Sequence, residues 1–155
     1  MKKIIVYITA ALAITIFSSL ACAEGIGKVK VLQGDVRIER SGQSTSAALG
    51  VPVYQNDRIV TGKDGTVGLL FEDDSRISAG PNSVVALEQF NFNKVTDDGN
   101  LDVSLKKGTL SVISGKMVKK TPGALKVNTP AAVLAVRGTE FSVKVDETSE
   151  QESAK

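Results

Sequence analysis

The feature that most restricts this chain is a two-residue alternation of apolar and polar side chains, repeated in short runs from residue 28 to residue 145 and broken at close intervals by turn-forming residues. Val29 and Val31 stand between Lys28 and Lys30, Val36 and Ile38 among Asp35, Arg37 and Glu39, and Leu101, Val103 and Leu105 among Asp102, Ser104 and Lys106. Side chains on an extended backbone point alternately to opposite faces, so each run offers one apolar face for burial. Residues 66–71, 109–113, 125–127 and 141–145 continue the series and are rich in β-branched side chains, which pack well on a pleated surface. No window of ten residues or more carries a 3.6-residue period, so a long amphipathic helix is not expected. Between the runs stand Gln33-Gly34-Asp35, Gly62-Lys63-Asp64-Gly65, Asp73-Asp74-Ser75, Gly80-Pro81-Asn82, Asp97-Asp98-Gly99-Asn100, Lys107-Gly108 and Ser114-Gly115. Each supplies a residue that tolerates positive φ or has φ preset. Short strands joined this way pair mostly with their sequence neighbours, so the expected fold is all-β: an antiparallel β-sandwich or a rolled, short solenoid-like stack. Gly-Thr opens an apolar run at Gly65, Gly108 and Gly138, but the spacings of 43 and 30 residues are not the fixed period of a strict solenoid.

The first residues have a different character. Met1-Lys2-Lys3 is basic, residues 4–17 carry no charge, and small residues follow up to Ala23, the layout of a secretory signal peptide. Ala21 and Ala23 fit the small-residue positions of the cleavage site, which makes Glu24 the first mature residue. The expected division is a signal peptide over 1–23, an all-β domain over 24–145 and a disordered acidic tail over 146–155. The expected location is periplasmic or secreted. Two alternatives remain open: residues 4–23 are long enough to stay as an N-terminal anchor, and Ser19-Leu20-Ala21-Cys22 partly matches a lipoprotein site, with Ser19 where Leu is usual. Cleavage after Ala23 removes Lys2 and Lys3 from the 19 cationic residues, leaving 17 against 17 acidic ones. It also removes Cys22, the one cysteine, so no disulfide is expected.

Composition narrows the chemistry. The chain has no His, which removes the usual proton shuttle, the common nucleophile-activating base and the commonest transition-metal ligand. A neutral mature chain with dispersed charge is not expected to bind nucleic acid. Asp73-Asp74 and Asp97-Asp98 lack the ligand spacing of a calcium loop and are expected to be solvated turn carboxylates. Ser104-Leu105-Lys106-Lys107 has Ser-x-x-Lys spacing, but on a strand those two side chains point to opposite faces. Lys106, Lys107, Lys116, Lys119 and Lys120 are expected to lie on soluble loop and edge segments. The reading is of a non-enzymatic protein without metal or cofactor.

Two stretches are more specific than strand propensity requires. One runs from Asn56-Asp57-Arg58-Ile59-Val60-Thr61 through Gly65 and Phe71 to Asp74-Ser75 and Pro81-Asn82-Ser83; the other is Val127-Asn128-Thr129-Pro130-Ala131-Ala132-Val133 followed by Arg137-Gly138-Thr139-Glu140-Phe141. Together they make residues 25–145 resemble the FecR-like domain family, whose pattern includes a Phe-x-Asp-Gly-Ser turn and a closing Thr-Pro then Arg-Gly-Thr-x-Phe. The resemblance implies an all-β extracytoplasmic domain. In the founding regulators that domain follows a membrane helix and relays a siderophore signal to a cytoplasmic sigma factor. Here three residues precede the apolar segment, so the expectation is the module without the anti-sigma portion. Asp74 stands where the pattern has Gly, and Asp tolerates the left-handed region better than most residues.

The family residues Asp57, Thr61, Asp74, Ser75, Thr129, Pro130, Arg137, Gly138, Thr139 and Phe141 are read as structural. Arg137, after the apolar run 131–136, is expected to be partly buried and to clamp strand ends through carbonyls or a carboxylate such as Asp57 or Asp74. Thr129-Pro130 is read as a turn former. The expected partner is another cell-envelope protein, bound through an exposed sheet edge or loop face. A periplasmic small-ligand or polysaccharide carrier is the alternative, disfavoured because only Tyr54, Phe71, Phe90, Phe92 and Phe141 are aromatic beyond residue 23. The partner surface is placed at Phe92, Asn93, Asp97, Asp98 and Asn100, on an expected mobile loop between two strand runs.

Overall fold

The computed structural model describes residues 25–138 and 140–146. The expected signal segment with Ala21, Ala23 and Glu24, residue Thr139, and the tail beyond Asp146 lie outside the described residues. The strands are β1 (Gly27–Gln33), β2 (Val36–Arg40), β3 (Gln43–Ser46), β4 (Pro52–Val53), β5 (Arg58–Thr61), β6 (Thr66–Phe71), β7 (Arg76–Ala79), β8 (Val84–Phe92), β9 (Gly99–Ile113), β10 (Leu125–Asn128), β11 (Val133–Ala135) and β12 (Glu140–Val145); helix α1 is Lys116–Lys120. The protein is all-β, a mostly antiparallel sheet curled into a half-barrel. Among the described residues no helix is long and apolar enough to cross a membrane.

Two layers share one strand. The first is ordered β4-β1-β6-β7-β9-β12 and the second β3-β2-β5-β8-β9-β10-β11. The ladder between β9 and β10 is parallel, the others antiparallel. In β9, residues up to Lys107 pair with β8 in the second layer, and Gly108 onward pairs with β12 in the first. The same bend recurs along the chain: β1 passes into β2, β5 into β6 and β7 into β8, each time leaving one layer for the other. Four bent strands therefore stack antiparallel in sequence order. The expected pairing of sequence neighbours holds for these bent units. For single strands it holds at β2–β3, β6–β7, β8–β9 and β10–β11, whereas β1 pairs with β6, β2 with β5, β5 with β8 and β7 with β9 across longer separations. The turns at Gly34, at Gly62 to Gly65 and at Gly80 turn a corner instead of closing a hairpin.

Hydrogen bonds run along that corner from strand to strand. The Gly62 N–H donates to the Asp35 carbonyl at 2.8 Å and the Thr61 N–H to the Ser83 carbonyl at 3.0 Å. The Ser83 N–H donates to Thr61 Oγ1 at 2.8 Å, and that hydroxyl donates to the Gly80 carbonyl at 2.7 Å. Thr109 N–H completes the series by donating to Ser83 Oγ at 2.9 Å. Gly108 has φ of 91° at the bend in β9, and a Cβ there would collide with Ser83, so only glycine fits.

The core lies inside the angle. Val29, Leu69, Ile77 and Val112 are in register across the first layer and Ile38, Ile59, Val85 and Leu105 across the second, all buried. Three local expectations are corrected. A register shift between Val29 and Val31 puts Val31 on the outer face, 56% exposed. The expected loop around Lys116, Lys119 and Lys120 contains the one-turn helix α1, which buries Met117 and Val118; five residues are too few for periodicity to reveal. The loop expected over 91–100 is shorter: β8 extends to Phe92 and β9 starts at Gly99, leaving residues 93–98.

Candidate functional site

Asp57 ends the turn between β4 and β5 and is fully buried. Its Oδ1 accepts from Arg40 Nε at 2.6 Å, and its Oδ2 from Arg40 Nη2 at 2.7 Å and from the Tyr54 N–H at 2.8 Å. The guanidinium also lies 4.2 Å from the centre of the Tyr54 ring, a cation–π arrangement. The hydrogen bond to Asp57 is the main cause raising the Arg40 pKa above its ordinary value, with burial opposing it. Asp57 thus has Arg40, not Arg137, as its guanidinium partner. Nothing in the run around Arg40 distinguishes it from a solvated strand-end arginine, since the pair is brought together across 17 residues.

The Phe71–Ser75 turn joins β6 to β7. Asp73, expected to be solvated, is fully buried: its Oδ1 accepts from the Ser75 N–H at 3.1 Å and its Oδ2 from the Ser75 hydroxyl at 2.6 Å. Ser75 Oγ in turn accepts from the Gly115 N–H at 2.9 Å, and the Asp73 carbonyl accepts from the Lys116 N–H at 2.7 Å. A Cβ at Gly115 would collide with the Asp73 carbonyl and the Ser75 nitrogen. Asp74 occupies the left-handed region at φ of 67° and is exposed, with its carboxylate 3.0 Å from Lys116 Nζ. That hydrogen bond is the main cause raising the Lys116 pKa. Both carboxylate oxygens of Asp57 and of Asp73 are therefore engaged by neighbouring donors, and among the described residues no cluster of His, Cys, Asp and Glu is arranged to hold a metal.

The residues expected to form a partner surface lie near this end. Asn93 Oδ1 accepts from the Val95 and Thr96 N–H groups at 2.9 and 3.2 Å, and the Asn93 N–H donates to the Asp98 carbonyl at 2.8 Å. Asp97 has φ of 57° and Asp98 is exposed. Asn91 donates to Asn100 Oδ1 at 3.1 Å across the strand pair below. Phe92 is half-buried, 6.5 Å from the buried Phe90, which stacks on Phe71 at 5.8 Å. Val95, at the loop tip, is 92% exposed.

The closing family motif forms the β10–β11 hairpin and its exit. The turn over 129–132 is held by the Thr129 N–H to the Ala132 carbonyl at 2.8 Å and by the Ala132 N–H to Thr129 Oγ1 at 3.0 Å; Pro130 is exposed within it. Parallel pairing of β10 with β9 brings Leu125 and Val127 into the core beside Leu101 and Val103. β11 lies one strand further out. Among the described residues the second layer extends two strands past β9 and the first only one, so β11 overhangs with no described strand opposite. Residues 130–135 are consequently all exposed, Val133 at 68% and Leu134 at 36%, although they belong to an uncharged run over 127–136. Arg137, expected to be partly buried by that run, is exposed as well. The Gly138 carbonyl accepts from the Ser114 hydroxyl at 2.7 Å, and Phe141 is half-buried against the core.

Two open cavities of about 390 Å³ each flank β3; Arg40, Gln43, Thr45 and Val51 line one, Asn56 and Arg58 the other, and neither lining contains an aromatic ring. The fold and its surface thus define a half-barrel β-domain whose buried carboxylates hold turns and whose exposed apolar surface lies at the free end of the stack. The FecR protein family model matches residues 57–154, and the chain belongs to the FecR family, a family of regulatory and sensing proteins. The match starts at Asp57, whereas the resemblance in the sequence starts near residue 25; β1 and β2 nevertheless pair with β6 and β5 as the first bent strand of the same stack. Neither the curated proteins nor the solved structures gave a match.

Proposed function

We propose that this protein is an exported, non-enzymatic FecR-family module that binds another cell-envelope protein by accepting a strand along β11. The observation that carries the reading is an uncharged, exposed apolar strand at the free edge of the second layer. An edge strand presents unpaired backbone donors and acceptors, and proteins ordinarily blunt such edges with charge or Pro inside the strand. Val133, Leu134 and Ala135 carry neither. Export rests on the N-terminal segment, and the periplasm or the exterior is the location it supports.

The test is a Val133→Lys variant, which puts a charge on the outer side of the edge without touching the core. The expected result is an unchanged melting temperature with loss of the envelope protein that cross-links to the unsubstituted chain. Replacing residues 93–98 by an Asn-Gly turn is the second arm. If Val133→Lys keeps the partner and the shortened loop loses it, the surface is the loop with Val95 at its tip. The polysaccharide reading is weaker, because the cavities beside β3 offer hydroxyl, amide and guanidinium groups but no ring on which a sugar could stack.

A further inference from the structure

Among the described residues, the last strand of the first layer, β12, pairs with β9 alone. Its core-facing side chains Phe141, Val143 and Val145 are only half-buried, while Glu140, Ser142 and Lys144 point outward and are exposed. We propose that two copies of this chain associate by antiparallel pairing of β12 with β12 about a two-fold axis at Ser142. This goes beyond the envelope-partner reading and is independent of it, since it uses the edge of the other layer.

The register follows from the sequence of the strand. Residues directly opposite in an antiparallel pair share a face, so a continuous sheet with one core side requires the axis to pass through a residue, not between two. An axis at Val143 would set Glu140 against Asp146. An axis at Ser142 sets Glu140 against Lys144 of the other copy twice, and Phe141 against Val143 twice on the core side. Opposite charges and aromatic with β-branched neighbours are the favourable cross-strand pairs. Lys144 is now 2.7 Å from Asp146, with both side chains largely exposed, an ion pair weak enough to exchange.

The experiment is sedimentation velocity on the protein purified after expression of the whole chain, over a dilution series. The expected result is a reversible dimer. Lys144→Glu and Glu140→Lys should each weaken it by about tenfold or more by opposing like charges at both pairs, and the double variant Glu140→Lys with Lys144→Glu should restore it. Ser142→Cys should form an intermolecular disulfide on oxidation, with the unsubstituted chain as control for Cys22. A monomer at every concentration, a dimer indifferent to either single reversal, or a folded double variant that stays monomeric would overturn the proposal. Oligomerisation driven by residues 1–23 would appear as indifference to the charge reversals.

Discussion

The buried carboxylate of Asp57 is fully hydrogen-bonded, because one arginine meets both of its oxygens and a backbone N–H adds a third donor. Arg40→Ala should lower stability by about 2 kcal/mol, less than a fully buried pair would cost because the vacated guanidinium site opens to solvent. Arg40→Lys should recover only part of this, since a single ammonium cannot reproduce the two-pronged contact; urea denaturation of the three proteins measures both. At the β6–β7 turn the backbone decides the outcome. Asp74→Ala should cost about 1 kcal/mol for the left-handed conformation, whereas Asp74→Gly should be nearly neutral, relieving the conformation while freeing the unfolded chain. Gly115→Ala should cost about 3 kcal/mol or more by overpacking against the turn backbone. Because the Lys116 pKa is raised from 10.5, the contribution of its pair with Asp74 is fully present below that value and lost as pH climbs through the raised one. The stability difference between the protein and Lys116→Ala should thus stay flat from about pH 6 to about pH 9 and shrink only at higher pH.

The elements are coupled at the corner, where Thr61 and Ser83 carry hydrogen bonds from one bent strand to the next. Both are buried, so Ser83→Ala and Thr61→Val should each cost about 2 kcal/mol for the donors and acceptors left unpaired. The double variant should cost less than the sum, because each removes a partner of the other; strict additivity would mean that the two hydroxyls act separately. The positions and the alternation of β2, β6 and the N-terminal part of β9 are legible in the chain itself, since apolar side chains every second residue coincide with buried ones. The destination of each turn is not legible. Gly34-Asp35 and Gly80-Pro81-Asn82 serve as well for a hairpin as for a corner, and the difference is made by hydrogen bonds to other strands.

Over the whole molecule, β9 belongs to both layers and to four ladders. It alone ties β12 to the first layer and β10 and β11 to the second, and it runs through both layers, so unfolding should be a single cooperative transition. In native-state hydrogen exchange the buried amides from Leu101 to Leu110 should exchange slowest, at the global rate, while β3 and β11 exchange first from their free edges. Two separate exchange classes, one for each layer, would show that the layers unfold independently.

What the chain determined by itself is local. Side-chain alternation set an all-β fold, the Gly, Asp and Asn positions set where the backbone turns, and the motifs around Asp57 to Ser83 and Asn128 to Phe141 carried the family. Thr61 and Asp74 stood out in those motifs. Arg40 and Gly115 did not, because their partners lie 17 and 40 residues away, and the burial of Asp73 is something no pattern in one turn encodes. The run over 131–136 shows the division most clearly. Its composition is that of a core strand, and only the stack decides otherwise: the second layer outruns the first, no strand among the described residues faces β11, and an apolar segment is left at the surface. Burial depends on what lies across the sheet, which a strand's own residues do not contain.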